Sequence, residues 1–419
     1  MRKCLFILIA AAFLMVSVVP AMAQDEGAVS ISGNVRMETY WQTRDSTMMG
    51  IVNGFPSSSD TDLLWAVQPV TTNLNFNFKA GDISATVIGR PLDGMGAPGT
   101  GAFQSWEQWF ATWNFGAGTL SAGNMMNPAW RPFSSLSIRV ANAAWYGAID
   151  AVKTGEQLQV AFPVGGGTLK IGAINPSSAF TNIAITTTVP VYGTSAIDTD
   201  NVIPKIEASY DIKFGGLDLW LGLGWQKGTI NFQTTTAQTS QDITSYLAGI
   251  YASYAFGPLS VNGNYWMMKN PQAYGYSGNP APFNNPGLPS GAAIGAPPGN
   301  TLAVNNVYDA PTASIIDVDY YGFHISAGWK ISDMLTLQAG YGYNNWQRNH
   351  LTNPALEVVD PEQDRSMYYI NMPIFAAKGF TITPEIGVFD DGQIKSATTG
   401  INTKQGKTNY YGVTWNIRF

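Results

Sequence analysis

Cysteine and histidine are almost missing from this chain. Its 419 residues hold one cysteine, Cys4, and two histidines, His324 and His350. A zinc centre, a cysteine nucleophile and a haem all need such residues in groups, so these chemistries lack their ligands here. Charge is also scarce: Asp, Glu, Lys and Arg make up 12% of the chain, about half the usual share. Beyond the first residues no run of 18 consecutive apolar residues occurs, so no helix of the mature chain is expected to cross a membrane.

The first residues read as a leader. Arg2 and Lys3 precede an apolar run from Leu5 to Val19, and Ala21-Met22-Ala23 follows Pro20. A charged start, an apolar core and a small-x-small site mark a secretory signal peptide over 1–23, cut after Ala23. The expected mature chain, 24–419, is one domain. Cys4 lies ahead of the cut, so the exported protein uses no disulfide. Loss of Arg2 and Lys3 leaves 20 basic residues of the 22 against 28 acidic ones, a net charge of −8. That balance argues against nucleic acid as a partner, because phosphate binding needs clustered Lys and Arg.

What is present is alternation. Val29, Ile31, Val35, Met37 and Trp41 alternate with Ser30, Ser32, Asn34, Arg36 and Glu38. Ile206 to Phe214 alternates with Lys205, Glu207, Ser209, Asp211 and Lys213, and Tyr411, Val413, Trp415, Ile417 and Phe419 alternate with Gly412, Thr414, Asn416 and Arg418. A period of two is the mark of strands, and helical period is nearly absent. The connections alternate too. Seven short turns, such as Ala80-Gly81-Asp82 and Gly215-Gly216, carry hairpin residues. Between them lie eight longer segments, near 44–64, 91–103, 127–155, 176–202, 231–241, 269–315, 348–364 and 391–408, rich in Gly, Pro, Asn, Ser and Asp. Seven turns and eight loops join sixteen strands. The expected fold is all-β: a transmembrane antiparallel barrel with short periplasmic turns and long extracellular loops. In lipid every backbone donor and acceptor needs a partner, so the last strand is expected to close on the first.

The chain resembles the general porins, the sixteen-stranded trimeric channels of Gram-negative outer membranes. The resemblance rests on the strand count, the short-long rhythm and a terminal Phe419 behind alternating aromatics. Phe115-Gly-Ala-Gly-Thr-Leu-Ser-Ala-Gly123 is similar to the turn and fifth strand that lead into the porin constriction loop. The resemblance implies that 127–155, with Trp130, Arg131, Phe133 and Arg139, folds inward. Asn124 stands where many porins carry arginine, and Asn127-Pro-Ala-Trp-Arg-Pro-Phe133 replaces the usual Pro-Glu-Phe-Gly-Gly. The resemblance further implies a cleaved leader, a homotrimer, outer-membrane lipid and lipopolysaccharide around the barrel, and an assembly machinery that reads the Phe419 strand.

Passive diffusion of small hydrophilic solutes and ions needs no cofactor and no turnover, so no enzyme is expected. The lining then carries the chemistry. Lumen parity nominates Arg36, Glu38, Lys79, Arg90, Lys205, Glu207, Asp211 and Arg418, with Arg131 and Arg139 on the loop. Wall arginines facing loop acids would make a transverse field. A substrate-selective channel, for an oligosaccharide or a small acid, is the alternative; Trp106, Phe110, Trp220 and Trp266 are its candidate lumen aromatics. Uptake of hydrophobic compounds is a further one, suggested by Asn127-Pro-Ala129, although no plug segment precedes the first strand. Trp41, Trp225, Trp329, Trp346 and Trp415 are expected in an interfacial girdle. Acidic groups at Asp60 and Asp62, Asp198 and Asp200, and Asp360, Glu362 and Asp364 read as solvated loop charge.

Overall fold

The structure is a computed structural model; it describes residues 27–45, 60–67, 72–91, 103–131, 147, 154–176, 184–186, 197–201, 203–233, 238–271, 273–275, 307–309, 314–348, 361–396, 402–404 and 406–419. The leader, Arg139 and His350 lie outside the described residues. Sixteen staves run in chain order: β1 (Ala28–Arg44), β2 (Asp60–Val67 and Asn73–Ala80), β3 (Ile83–Pro91), β4 (Phe103–Asn114), β5 (Thr119–Met126), β6 (Thr154–Val164), β7 (Gly167–Ile174), β8 (Ile197–Asp200 and Lys205–Phe214), β9 (Leu217–Gln233), β10 (Gln238–Phe256), β11 (Leu259–Lys269), β12 (Val318–Lys330), β13 (Thr336–Arg348), β14 (Pro361–Asn371 and Ile374–Ala377), β15 (Phe380–Asp390 and Gln393–Ser396) and β16 (Asn402–Lys404 and Lys407–Arg418). Each pairs antiparallel with its neighbour. β16 pairs with β1 from Asn34 opposite Arg418 to Arg44 opposite Thr408, which closes the barrel. Among the described strands of the barrel no edge is left for lipid to solvate.

The seven short turns all fall on one rim. Gly81, Gly165, Gly215 and Gly257 each sit there at φ 56°, a left-handed conformation that a side chain resists. Beside the second stretch of β2 a side chain extends the ladder to β1. The Thr72 hydroxyl accepts from the Arg36 backbone N–H at 3.0 Å and donates to the Arg36 carbonyl at 3.2 Å.

Burial follows the parity. Val35, Trp41, Leu223, Ile386, Tyr411 and Ile417 face outward and are exposed, while Arg36, Glu38, Gln42 and Arg44 face inward and are buried. An apolar outer face and a polar bore are the reverse of a soluble protein and suit a lipid surround. Outside, across the seam, the Trp41 and Tyr411 rings stack at 5.3 Å.

Two aromatics depart from expectation. Ile88 opposes Gln108 but Gly89 opposes Trp106, so Glu107 bulges out of the β3–β4 ladder. A bulge resets which face each residue takes. Trp106 is therefore turned outward, 50% exposed, and not into the lumen. Trp346, expected in the girdle, points inward at 1% exposure, where its indole N–H donates to Gln363. Trp41, Trp225 and Trp329 do face outward.

On the long-loop side, Val307–Asp309 pairs parallel with Ala184–Thr186 and antiparallel with Ser314–Ile316. Parts of two long connections are thus joined in a small sheet.

Candidate pore constriction

The chain leaves the wall after β5 because Asn127-Pro128 stops the ladder. Pro128 has no N–H to donate, and Gln157 of β6 caps the strand end. The Gln157 amide N–H donates to the Met125 carbonyl at 2.9 Å and to the Asn127 side-chain oxygen at 3.1 Å. The next residues lie inside the barrel. The Ala129 N–H donates to Glu207 Oε2 of β8 at 2.9 Å. The Arg131 guanidinium forks between two carboxylates, Asp211 of β8 at 2.6 Å and Asp218 of β9 at 2.7 Å. The same cation lies 4.3 Å from the centre of the Tyr251 ring of β10. A planar five-donor group suits this double fork; a lysine would not reproduce it.

Further along, the Gly147 carbonyl accepts from Asn264 Nδ2 at 2.9 Å and from Trp266 Nε1 at 3.0 Å, both on β11. A side chain at Gly147 would strike the backbones of Phe323 and Tyr343, on β12 and β13. So the described residues 127–131 and 147 of the segment that leaves β5 touch lumen faces from β8 to β13.

Glu207 is the junction. Besides Ala129 it accepts from the Tyr274 hydroxyl at 2.6 Å and faces the Lys205 ammonium at 3.3 Å. Lys205, Glu207 and Tyr274 are all buried, and the Lys205 ammonium lies 4.6 Å from the Tyr274 ring centre. Tyr274 belongs to the segment after β11, outside the strands. Burial, and then the facing Glu207 carboxylate, hold its phenol well above the ordinary value. One carboxylate therefore holds two inserted segments. Around it Ala129, Trp220, Leu247, Trp266, Met268, Tyr274, Tyr320 and Trp346 form an apolar cluster. Room for two of these side chains comes from lumen glycines: a Cβ at Gly224 would meet the Tyr274 hydroxyl, and one at Gly322 the Trp266 ring.

The remaining nominated charges fall into three places. On β1, Arg36 meets Glu38 at 3.4 Å. On the same side of the barrel Arg365 of β14 meets Asp391, beside β15, at 3.2 Å. Arg90 of β3 pairs with the bulged Glu107. Lys79 and Arg418 do not join the constriction; both are exposed at the short-turn rim, where β2 and β16 end. The field also differs from the one expected. The loop brings the cation, Arg131, and the wall supplies the acids, Asp211 and Asp218. The sequence explains this, since 127–149 contains no acid at all.

Of the residues nominated from sequence, Glu207, Asp211 and Arg131 are brought to the inserted segment; Asp218's contact with it, Tyr274 and Gly147 were not anticipated. Tyr274 and Gly147 sit in long irregular segments where parity says nothing. Among the described residues no group of three or more metal-ligating side chains is brought together.

The geometry agrees with comparisons to known proteins. A search of curated sequences finds no match. Among solved structures, the outer membrane channel DcaP of Acinetobacter baumannii aligns over 94% of this chain and 97% of its own, at 13% identity and TM-score 0.59. The anion-selective porin of Comamonas acidovorans aligns over 94% and 100%, at 13% identity and TM-score 0.53. A loop-deletion form of OmpT of Vibrio cholerae gives the same coverage, identity and TM-score. The sequence model of the Gram-negative porins matches residues 10–349. With that match over most of its length and a closed sixteen-strand barrel beneath it, the chain belongs to the Gram-negative porin family, outer-membrane channels for passive diffusion of small solutes.

Proposed function

We propose that the pore is narrowed by the segment after β5 and is only weakly ion-selective. The observation that carries this reading is the Arg131 fork to Asp211 and Asp218, which ties the inserted segment to the wall by two charge-assisted bonds. Weak selectivity follows from pairing. Arg36 with Glu38, Arg90 with Glu107, Lys205 with Glu207 and Arg365 with Asp391 each cancel locally. Paired charges leave a small net field in the passage. Arg139, on the same segment, is proposed to add to the constriction.

The assembly is proposed to be a homotrimer, in line with the trimer form of OmpT of Vibrio cholerae, which aligns at 12% identity and TM-score 0.51. The leader directs export and is cleaved. The exposed apolar band meets outer-membrane lipid, the long-loop rim meets lipopolysaccharide, and the β16 strand ending in Phe419 is what the barrel-assembly machinery reads.

The test is reversal potential in a planar bilayer under a salt gradient. A small value is expected for the wild type, with a shift toward cations for Arg131→Ala. A strongly selective wild type, or a variant with an unchanged potential, overturns the reading.

A further inference from the structure

We propose that the lumen carries a saccharide-binding subsite on the wall beneath the inserted segment; this rests on the pore reading above. A cavity of about 470 Å³ opens there between the lumen faces of β4 to β10 and residues 125–131. Its size lies within the range of small-molecule sites, roughly 300–1,000 Å³. Phe110, Trp220 and Tyr251 supply aromatic surface, and Gln108, Gln159 and Lys170 supply polar groups.

The pointer to a ligand is Gln108. Its side chain lines the cavity and the residue is only 4% exposed. Its amide nitrogen has no hydrogen-bond partner among the described residues. A buried donor left unmet is costly, and such groups call for an explanation. A small turn of the Gln108 side chain would bring that donor to a solute hydroxyl or carbonyl in the cavity.

The charge arrangement selects the class. Arg131 is already spent on two carboxylates, and Lys170 stands 3.6 Å from Asp211. An incoming anion would have to compete with Asp211 for both cations. A neutral polyol with an apolar ring face has no such competitor. It places its ring against Trp220 or Phe110, takes the Gln108 donor, and offers hydroxyls to Gln159 and to Asp211. That pattern of aromatic surface and planar polar side chains fits a mono- or disaccharide.

The test uses maltose as probe on the reconstituted full-length protein. Ion current is read against maltose concentration, with sorbitol at matched viscosity as control. A saturating block by maltose and a merely viscous response to sorbitol are expected. Gln108→Leu, whose folding is checked by heat-modifiable migration, is expected to raise the half-blocking concentration about tenfold. Phe110→Ala is a second variant, expected to weaken the block through the ring surface. A maltose response no different from sorbitol overturns the subsite while leaving the pore standing. Saturable block by benzoate but not by maltose overturns the saccharide class. Absence of any salt current is a failure of the pore reading itself, and so is told apart from both.

Discussion

Phe419 covers Gly33. The two residues exchange both backbone hydrogen bonds, Gly33 N–H to the Phe419 oxygen at 2.9 Å and Phe419 N–H to the Gly33 carbonyl at 3.1 Å. A Cβ built on Gly33 would run into the Phe419 ring. This pair ends the β1–β16 seam at the short-turn rim. Gly33→Val is expected to force the ring away and destabilise the barrel by about 1–3 kcal/mol, the usual effect of overpacking. A lower urea midpoint in lipid vesicles would show it. An unchanged midpoint would mean that the ring moves aside freely.

Arg131 is where charge and position meet. Arg131→Ala leaves Asp211 and Asp218 facing the passage without their shared cation and frees the inserted segment from β8 and β9. Larger conductance and more open-channel noise are expected. Asp211→Asn and Asp218→Asn together are expected to raise noise in the same way while shifting selectivity in the opposite direction. Equal shifts from both variants would show that charge at this point does not govern the ions.

Glu207 holds its two segments through buried hydrogen bonds. Glu207→Ala leaves the Lys205 ammonium buried without its carboxylate, a change that costs about 3–5 kcal/mol in buried pairs. Because the barrel ladder is untouched, the loss is expected locally: faster proteolysis near residues 127–155 and flickering current, with heat-modifiable migration retained. A variant that fails to form the barrel at all would make Glu207 part of the fold and not a pin for the loops.

Tyr274 gives a pH signature. Its phenol is raised, first by burial and then by Glu207, so the folded state holds the proton that the unfolded chain releases near pH 10. Stability from this group is whole below that value and is lost as pH rises toward the folded pKa. Ultraviolet titration of the folded protein is expected to show one phenolate fewer than Tyr274→Phe would imply if the group titrated normally. Identical phenolate counts in the folded wild type and Tyr274→Phe are expected; one extra in the wild type contradicts the burial.

The strands were legible because lipid and water sit on opposite faces of one sheet. Arg36, Glu38 and Trp41 of β1 took the faces their parity assigns. Trp106 did not, because the bulge at Glu107 shifts parity by one and carries no signature in residue type. Trp346 was misplaced for a related reason: an aromatic near a strand end serves either a girdle or an inner cluster, and only the facing Gln363 decides. The contacts of the inserted segment were legible in part. Arg131 stood out as a cation on the expected loop, but its partners lie 80 and 87 residues away. Glu207 meets Ala129 and Tyr274 across 78 and 67 residues. Such pairings arise from how the inserted segments fold back, and local patterning does not encode them.

Single-channel conductance of the refolded, heat-modifiable protein in a planar bilayer tests the pore most directly. Stepwise openings in groups of three, with a small reversal potential under a salt gradient, are expected from a trimeric diffusion channel. A silent bilayer from the same folded protein would contradict an open bore and show that the inserted segments close the lumen.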